Sequence, residues 1–186
     1  MNRSELRAQL LAFDLADRTD EQAICAKMIE LLDTEPACFS RAAFPAHFTG
    51  SALVLNADGS RALLHHHRKL ARWLQFGGHC DGDEDVLQAA QRETFEECGI
   101  ERLIVAATRP FDLDIHEIPA RENEPAHWHY DVRYVLIAPE GALHTASAES
   151  RELRWFTVSE MERLPLDAGL QRLVRKWRAL QSRRAH

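Results

Sequence analysis

Three glutamates, Glu93, Glu96 and Glu97, fall within five residues of one another, downstream of the run Gly78-His79-Cys80-Asp81-Gly82-Asp83-Glu84. On a helix spanning residues 85–98 they stand at i, i+3 and i+4 and share one face. Like charges placed this way repel, and each pair disfavours the bare helix by about 0.2–0.5 kcal/mol. A divalent cation reverses that sign, because Mg²⁺ and Mn²⁺ prefer hard oxygen ligands. The chemistry this pattern points to is metal binding. A solvated acidic helix is the plainer alternative, since charge runs are commonly just that.

The surrounding residues are those a helix needs. Asp85 suits the N-cap and Gln88, three residues on, completes a capping-box pattern. Val86, Leu87, Ala90, Thr94 and Cys98 form an apolar stripe beside the acidic face, and Gly99 sits where a helix closes with a left-handed residue. Gly77-Gly78 reads as a glycine turn that lets backbone approach an ion or a phosphate closely.

The stretch resembles the Nudix box, G-x5-E-x7-R-E-U-x-E-E-x-G-U with U an aliphatic residue. Gly78, Glu84, Arg92, Glu93, Glu96, Glu97 and Gly99 occupy its fixed positions, and Ile100 its last U. Thr94 departs from it at the first U, and Phe76 stands where the family commonly shows a proline. The resemblance implies a Nudix α/β/α sandwich with a mixed sheet. It implies a pyrophosphohydrolase in which water attacks phosphorus of a nucleoside diphosphate linked to another group, under Mg²⁺ or Mn²⁺. Carried over to this chain, it makes Glu93, Glu96 and Glu97 metal ligands, joined by the backbone carbonyl of Gly77. Glu93 doubles as a candidate base, and Arg92 completes the catalytic set by orienting carboxylates. Glu84, ahead of the helix body, is either structural or a secondary ligand. The family also recruits a carboxylate from a loop, and the charged segment 117–125 offers Glu122 and Glu124 ahead of Glu117. The implied partner is a small phosphorylated, nucleotide-derived molecule, and the resemblance allows a homodimer. Two other functions stay open: a Nudix-like binding or regulatory module, and an isoprenoid diphosphate isomerase.

Other residues compete for roles. His79, Trp73 and Lys69 are candidates to meet substrate, by phosphate contact, base stacking and charge respectively; core packing for Trp73 and a solvated hairpin end for Lys69 are the plainer readings. Ten histidines raise the question of zinc. His65 and His67 share one strand face, as do His127, His129 and Asp131, although strand-face histidines more often hydrogen-bond than ligate.

Positioning these groups requires a scaffold. Residues 4–16 and 20–33 carry helical periodicity, and Pro36 and Pro45 bracket a linker, so residues 1–45 read as a helical extension and 46–186 as the hydrolase domain. Residues 49–55 and 61–67 read as a hairpin about Asp58-Gly59. Residues 103–111, 112–119, 129–138 and 152–157 are strand-like, 121–126 a loop, and 159–164 and 168–184 helical. Strands on both sides of a central helix give an α/β or α+β class, the resemblance selecting α/β.

The whole chain sets bounds. Its 186 residues suffice for a sizeable core, and 45% apolar with 28% charged residues is ordinary globular composition. A net charge of −6 argues against nucleic-acid polymers and membrane surfaces as partners. Four dispersed cysteines without C-x-x-C spacing suggest neither zinc nor a disulfide framework, and fit the cytoplasm. No signal-peptide core or membrane-length apolar run is present in the sequence.

Overall fold

The computed structural model describes residues 1–13, 19–121 and 124–184. In chain order the elements are α1 (Arg3–Leu11), α2 (Thr19–Thr34), β1 (Ala46–Leu55), β2 (Ala62–His67), β3 (Arg72–Leu74), β4 (Phe76–His79), α3 (Val86–Cys98), β5 (Ile104–Val105), β6 (Asp112–Ile118), β7 (His127–Ile137), β8 (Ser150–Phe156), α4 (Val158–Met161) and α5 (Ala168–Arg184). The eight strands form one mixed sheet, in the order β3-β2-β1-β7-β5, with β4 on β1, β6 on β7 and β8 on β2. All ten residues of β1 are buried, as expected of an interior strand covered on both faces. The architecture is an α/β fold. Among the described residues, no helix is long and apolar enough to cross a membrane.

The chain divides into two compact units. The first comprises Met1–Ser51, Gly77–Ala90 and Ala107–Tyr134. Its helix α1 starts on a capping box, with the Asn2 side chain accepting from Glu5 N–H and the Glu5 carboxylate accepting from Asn2 N–H. Leu6 and Leu10 of α1, and Cys25, Met28 and Leu32 of α2, lie on one stripe each and enter a core shared with Phe48, Val86, Leu113, Val132 and Tyr134. The helices of residues 1–45 are therefore built into this core. Strands β6 and β7 form a hairpin here, in register from Asp112↔Arg133 to Ile118↔His127.

The second unit comprises Ala52–Phe76, Gln91–Ala106 and Val135–His186. Its core contains Ala52, Val54, Leu63, Phe76, Cys98, Ile100 and Leu136. The β1–β2 hairpin pairs Val54 with Leu63 across the Asp58-Gly59 turn, where Asp58 accepts from Ser60 N–H at 2.8 Å. Helix α4 opens on a capping box between Thr157 and Glu160. Leu170, Leu173, Val174 and Trp177 form the buried stripe of α5, and the indole of Trp177 donates to the Gly59 carbonyl at 3.2 Å.

Two sequence-based expectations are corrected. Gly77-Gly78 lies within strand β4 rather than forming a turn. A Cβ on Gly77 would sit 2.3 Å from Ser51 Cβ and 2.6 Å from the Gly50 oxygen, at φ +153, so the glycine answers close strand packing. The chain reverses afterwards, at Asp81 (φ 54) and Gly82 (φ 91). Residues 103–111 do not form a continuous strand: only Ile104–Val105 does. Ala106 N–H bonds to Val135 O and Phe111 N–H to Arg133 O, so residues 107–110 loop out opposite a single residue of β7. Pro110 within that loop has no N–H to give a ladder.

Candidate functional site

Helix α3 is set by its ends. Asp85 accepts from Gln88 N–H at 3.0 Å as an N-cap should, and Gly99, at φ 65, closes the helix with its N–H on the Phe95 carbonyl. The inward stripe is Val86, Ala89, Ala90, Thr94 and Cys98, all buried. Thr94 is 0% exposed, so it occupies the buried side and not the acidic one.

That phasing places Glu93, Glu96 and Glu97 on the other side of the helix, within the second unit. Glu93 and Glu97 are sheltered, with side chains 18% and 12% exposed, and Glu96 reaches solvent at 55%. Arg92 lies between two of them, its Nη1 2.6 Å from Glu93 Oε1 and 3.6 Å from Glu96 Oε1. Its charge offsets the repulsion that three neighbouring carboxylates impose on the helix. Glu97 Oε1 lies 3.9 Å from Nδ1 of His65, a ring that also meets the Ser150 hydroxyl at 2.9 Å. Burial pushes His65 down to about 4, so at neutral pH the imidazole is uncharged and the contact is not an ion pair. The donor set, three carboxylates on one face with two of them sheltered, fits a hard divalent ion such as Mg²⁺.

The remaining candidate residues are placed as follows. Trp73 packs edge-on against Phe156, with ring centroids 4.9 Å apart, as a half-buried core aromatic. Lys69 is exposed in the turn after β2, its N–H donating to His67 Nδ1. His65 and His67 do share a face, with ring centroids 5.6 Å apart. In the first unit, Glu84 accepts from Arg3 N–H at 3.0 Å and so caps the start of α1. Gly77 is held against Ser51 as described. Glu124 forms an isolated bridge with Arg121 and its Oε1 lies 3.8 Å from His127 Nε2. Glu117 is exposed on β6. Glu122 lies outside the described residues.

Two features of the first unit were not read from the sequence. The first is a buried charge cage. Asp131, grouped with His127 and His129 by strand alternation, instead bonds Arg133 Nε at 2.8 Å and accepts from the hydroxyls of Thr49 and Ser51. Arg133 also reaches Asp112 at 3.3 Å and Asp114 at 2.9 Å. Burial alone would lower the guanidinium pKa, but the three carboxylates outweigh it and hold the pKa above its usual value. The i, i+2 pairs Asp112/Asp114 and Asp131/Arg133 were the available signal, each lying on one strand face.

The second is a group of four imidazoles. His79 is not isolated beside a turn: its ring lies 5.2 Å from His47 and 5.0 Å from His129. His47, His79, His127 and His129 each offer a ligand atom within 4.8 Å of the others. Among the described residues this is the group of potential ligands that converges. Burial lowers His47 and takes His79 to about 4 and His129 to about 2, which keeps these rings neutral.

Comparison with known proteins follows the same lines. A family model described as the NUDIX domain matches residues 46–177. A Mycobacterium tuberculosis protein named "Putative 8-oxo-dGTP diphosphatase 3" is 34% identical over 142 residues, covering 70% of this chain and 61% of its own length. The chain thus spans about three fifths of the curated relatives it matches. Among solved structures, a C. elegans Ap4A hydrolase in a binary complex aligns with a TM-score of 0.56 at 21% identity, covering 73% of this chain and 97% of that one. A Nudix hydrolase from M. smegmatis, RenU, aligns with a TM-score of 0.55 at 23% identity, covering 73% and 86%. These two establish likeness of fold.

Proposed function

The chain belongs to the NUDIX family, and we propose that it hydrolyses the diphosphate bond of a nucleoside diphosphate derivative by metal-assisted attack of water on phosphorus. The observation that carries this reading is the face of α3: three carboxylates at i, i+3 and i+4, with an arginine of the same helix spanning two of them. Glu93, Glu96 and Glu97 would hold Mg²⁺ or Mn²⁺. A divalent ion bound there neutralises the diphosphate and lowers the pKa of a bound water. Glu93, sheltered and hydrogen-bonded to Arg92, is assigned the second task of accepting a proton from water. Arg92 is a positioning residue: it fixes the carboxylates of Glu93 and Glu96 without needing to touch substrate. Residues 1–45 are read as an extension ahead of the family domain. The four cysteines are buried free thiols, which supports a reducing compartment such as the cytoplasm.

The substrate is a small nucleotide derivative. The name of the mycobacterial relative makes an oxidised purine deoxynucleoside triphosphate the first candidate. Turnover of 8-oxo-dGTP, a dinucleoside tetraphosphate and nucleotide sugars with Mg²⁺, with products identified, tests the proposal. Cleavage within the diphosphate of at least one compound is expected. Tight binding across the panel without turnover would replace the hydrolase by a ligand-binding module.

A further inference from the structure

The hydrolysis described above uses none of the four imidazoles gathered in the first unit. His47 lies on β1, His79 ends β4, and His127 and His129 lie on β7. Nδ1 of His47 is 3.2 Å from the Ala43 carbonyl, and Nδ1 of His127 is 2.9 Å from the Pro125 carbonyl. A carbonyl oxygen can only accept, so both Nδ1 atoms carry hydrogen, which leaves Nε2 as the nitrogen of each ring available to ligate. Nε2 of His47 is buried and has no hydrogen-bond partner, in a residue only 2% exposed. Leaving such a group buried and unmatched is unfavourable. Nε2 of His127 faces Nε2 of His129 at 3.2 Å. A hydrogen between these two satisfies that pair and leaves His47 Nε2 as it was.

We propose that His47, His79, His127 and His129 form a closed, four-ligand zinc site. Zn–N bonds of about 2.0–2.1 Å in a tetrahedron set ligand nitrogens roughly 3.3 Å apart, and the His127–His129 separation is 3.2 Å. The wider separations, up to 4.8 Å, contract by side-chain rotation. Imidazole nitrogen selects Zn²⁺ over Mg²⁺, the reverse of the carboxylate face of α3, so the two donor sets sort two ions. The carbonyls of Ala43 and Pro125 supply the outer hydrogen bonds that hold zinc-binding imidazoles in one tautomer and orientation. Glu124 Oε1, 3.8 Å from His127 Nε2, provides negative charge beside the ion. Four protein ligands leave no open position, so the site is structural: it ties residues of β1, β4 and β7 together.

The test uses the full chain, stripped with a chelator and reloaded with Zn²⁺ in excess Mg²⁺. One zinc per chain by elemental analysis is expected, and Co²⁺ in its place should give the intense visible absorption of tetrahedral coordination. His47→Gln and His129→Gln should each weaken zinc binding by at least about 100-fold, the upper end of what loss of an outer partner alone does. The pair Glu93→Gln with Glu97→Gln should leave it unchanged. The wild-type stoichiometry and cobalt spectrum decide even where a histidine variant fails to fold. Failure to retain one zinc under excess Mg²⁺, an octahedral cobalt spectrum, or affinity that follows the glutamates instead of the histidines overturns the site.

Discussion

Arg92 and Glu93, adjacent in sequence, are joined by a 2.6 Å contact from Nη1 to Oε1, and the same nitrogen lies 3.6 Å from Glu96. One guanidinium thus restrains two of the three proposed ligands. Arg92→Ala should lower kcat about tenfold and raise the Mg²⁺ concentration for half-maximal rate, with KM for the nucleotide nearly unchanged, because a general loss of about 1.4 kcal/mol falls on the transition state. Steady-state kinetics across a Mg²⁺ titration check this. A rise in KM alone would make Arg92 a substrate contact.

Thr94 replaces an aliphatic residue of the family pattern and is fully buried on the inward stripe of α3. A mid-helix threonine can bond back to the carbonyl four residues earlier, which limits the cost of burying its hydroxyl. Thr94→Val should be neutral or stabilising by at most about 1 kcal/mol, the scale of one net hydrogen bond against added apolar burial. Urea unfolding measures the stability and a rate assay the activity. Lost activity with stability intact would mean that Thr94 serves the reaction.

The Arg133 cage concentrates three carboxylates on one buried cation. Arg133→Met leaves those carboxylates without their partner and should destabilise the protein by about 3–5 kcal/mol. Asp131→Asn keeps the shape and removes one charge, so its cost should be smaller. A change under about 1 kcal/mol for Arg133→Met in denaturant unfolding would show that the cage holds little of the fold.

All four cysteines are buried, and burial pushes the Cys38 and Cys98 thiols up to about 11. At pH 8 the reactive thiolate is therefore scarce as well as shielded. A disulfide reagent should label neither in the native protein and all four after unfolding. Rapid native labelling of Cys98, at the end of α3, would contradict its placement.

What could be read from the chain was what depends on local period. The helical spacing of Glu93, Glu96 and Glu97, the inward place of Thr94, the Asp58-Gly59 hairpin and the stripe of α5 are all consequences of 3.6- or 2-residue repeats. Gly77-Gly78 misled because Gly77 meets a tertiary demand, closeness to Ser51, that looks in sequence like a turn. The strand read over residues 103–111 shrinks to Ile104–Val105, with Pro110 in the segment that loops out. The histidine group was half visible: alternation pairs His127 with His129, but His47 and His79 reach them from other strands. Asp131 shares their strand face and goes to Arg133, a choice that charge makes and periodicity does not.

The most direct test of the central claim is the rate of diphosphate cleavage by wild type and Glu97→Gln across a Mg²⁺ titration begun in EDTA. No turnover is expected in EDTA, with recovery on Mg²⁺ or Mn²⁺. Glu97→Gln, folded like the wild type, should be slower by at least about 10²-fold in kcat and need more Mg²⁺, since charge stabilisation of this kind is commonly worth several kcal/mol. Full turnover in metal-free buffer, or wild-type rates in Glu97→Gln, would contradict the account.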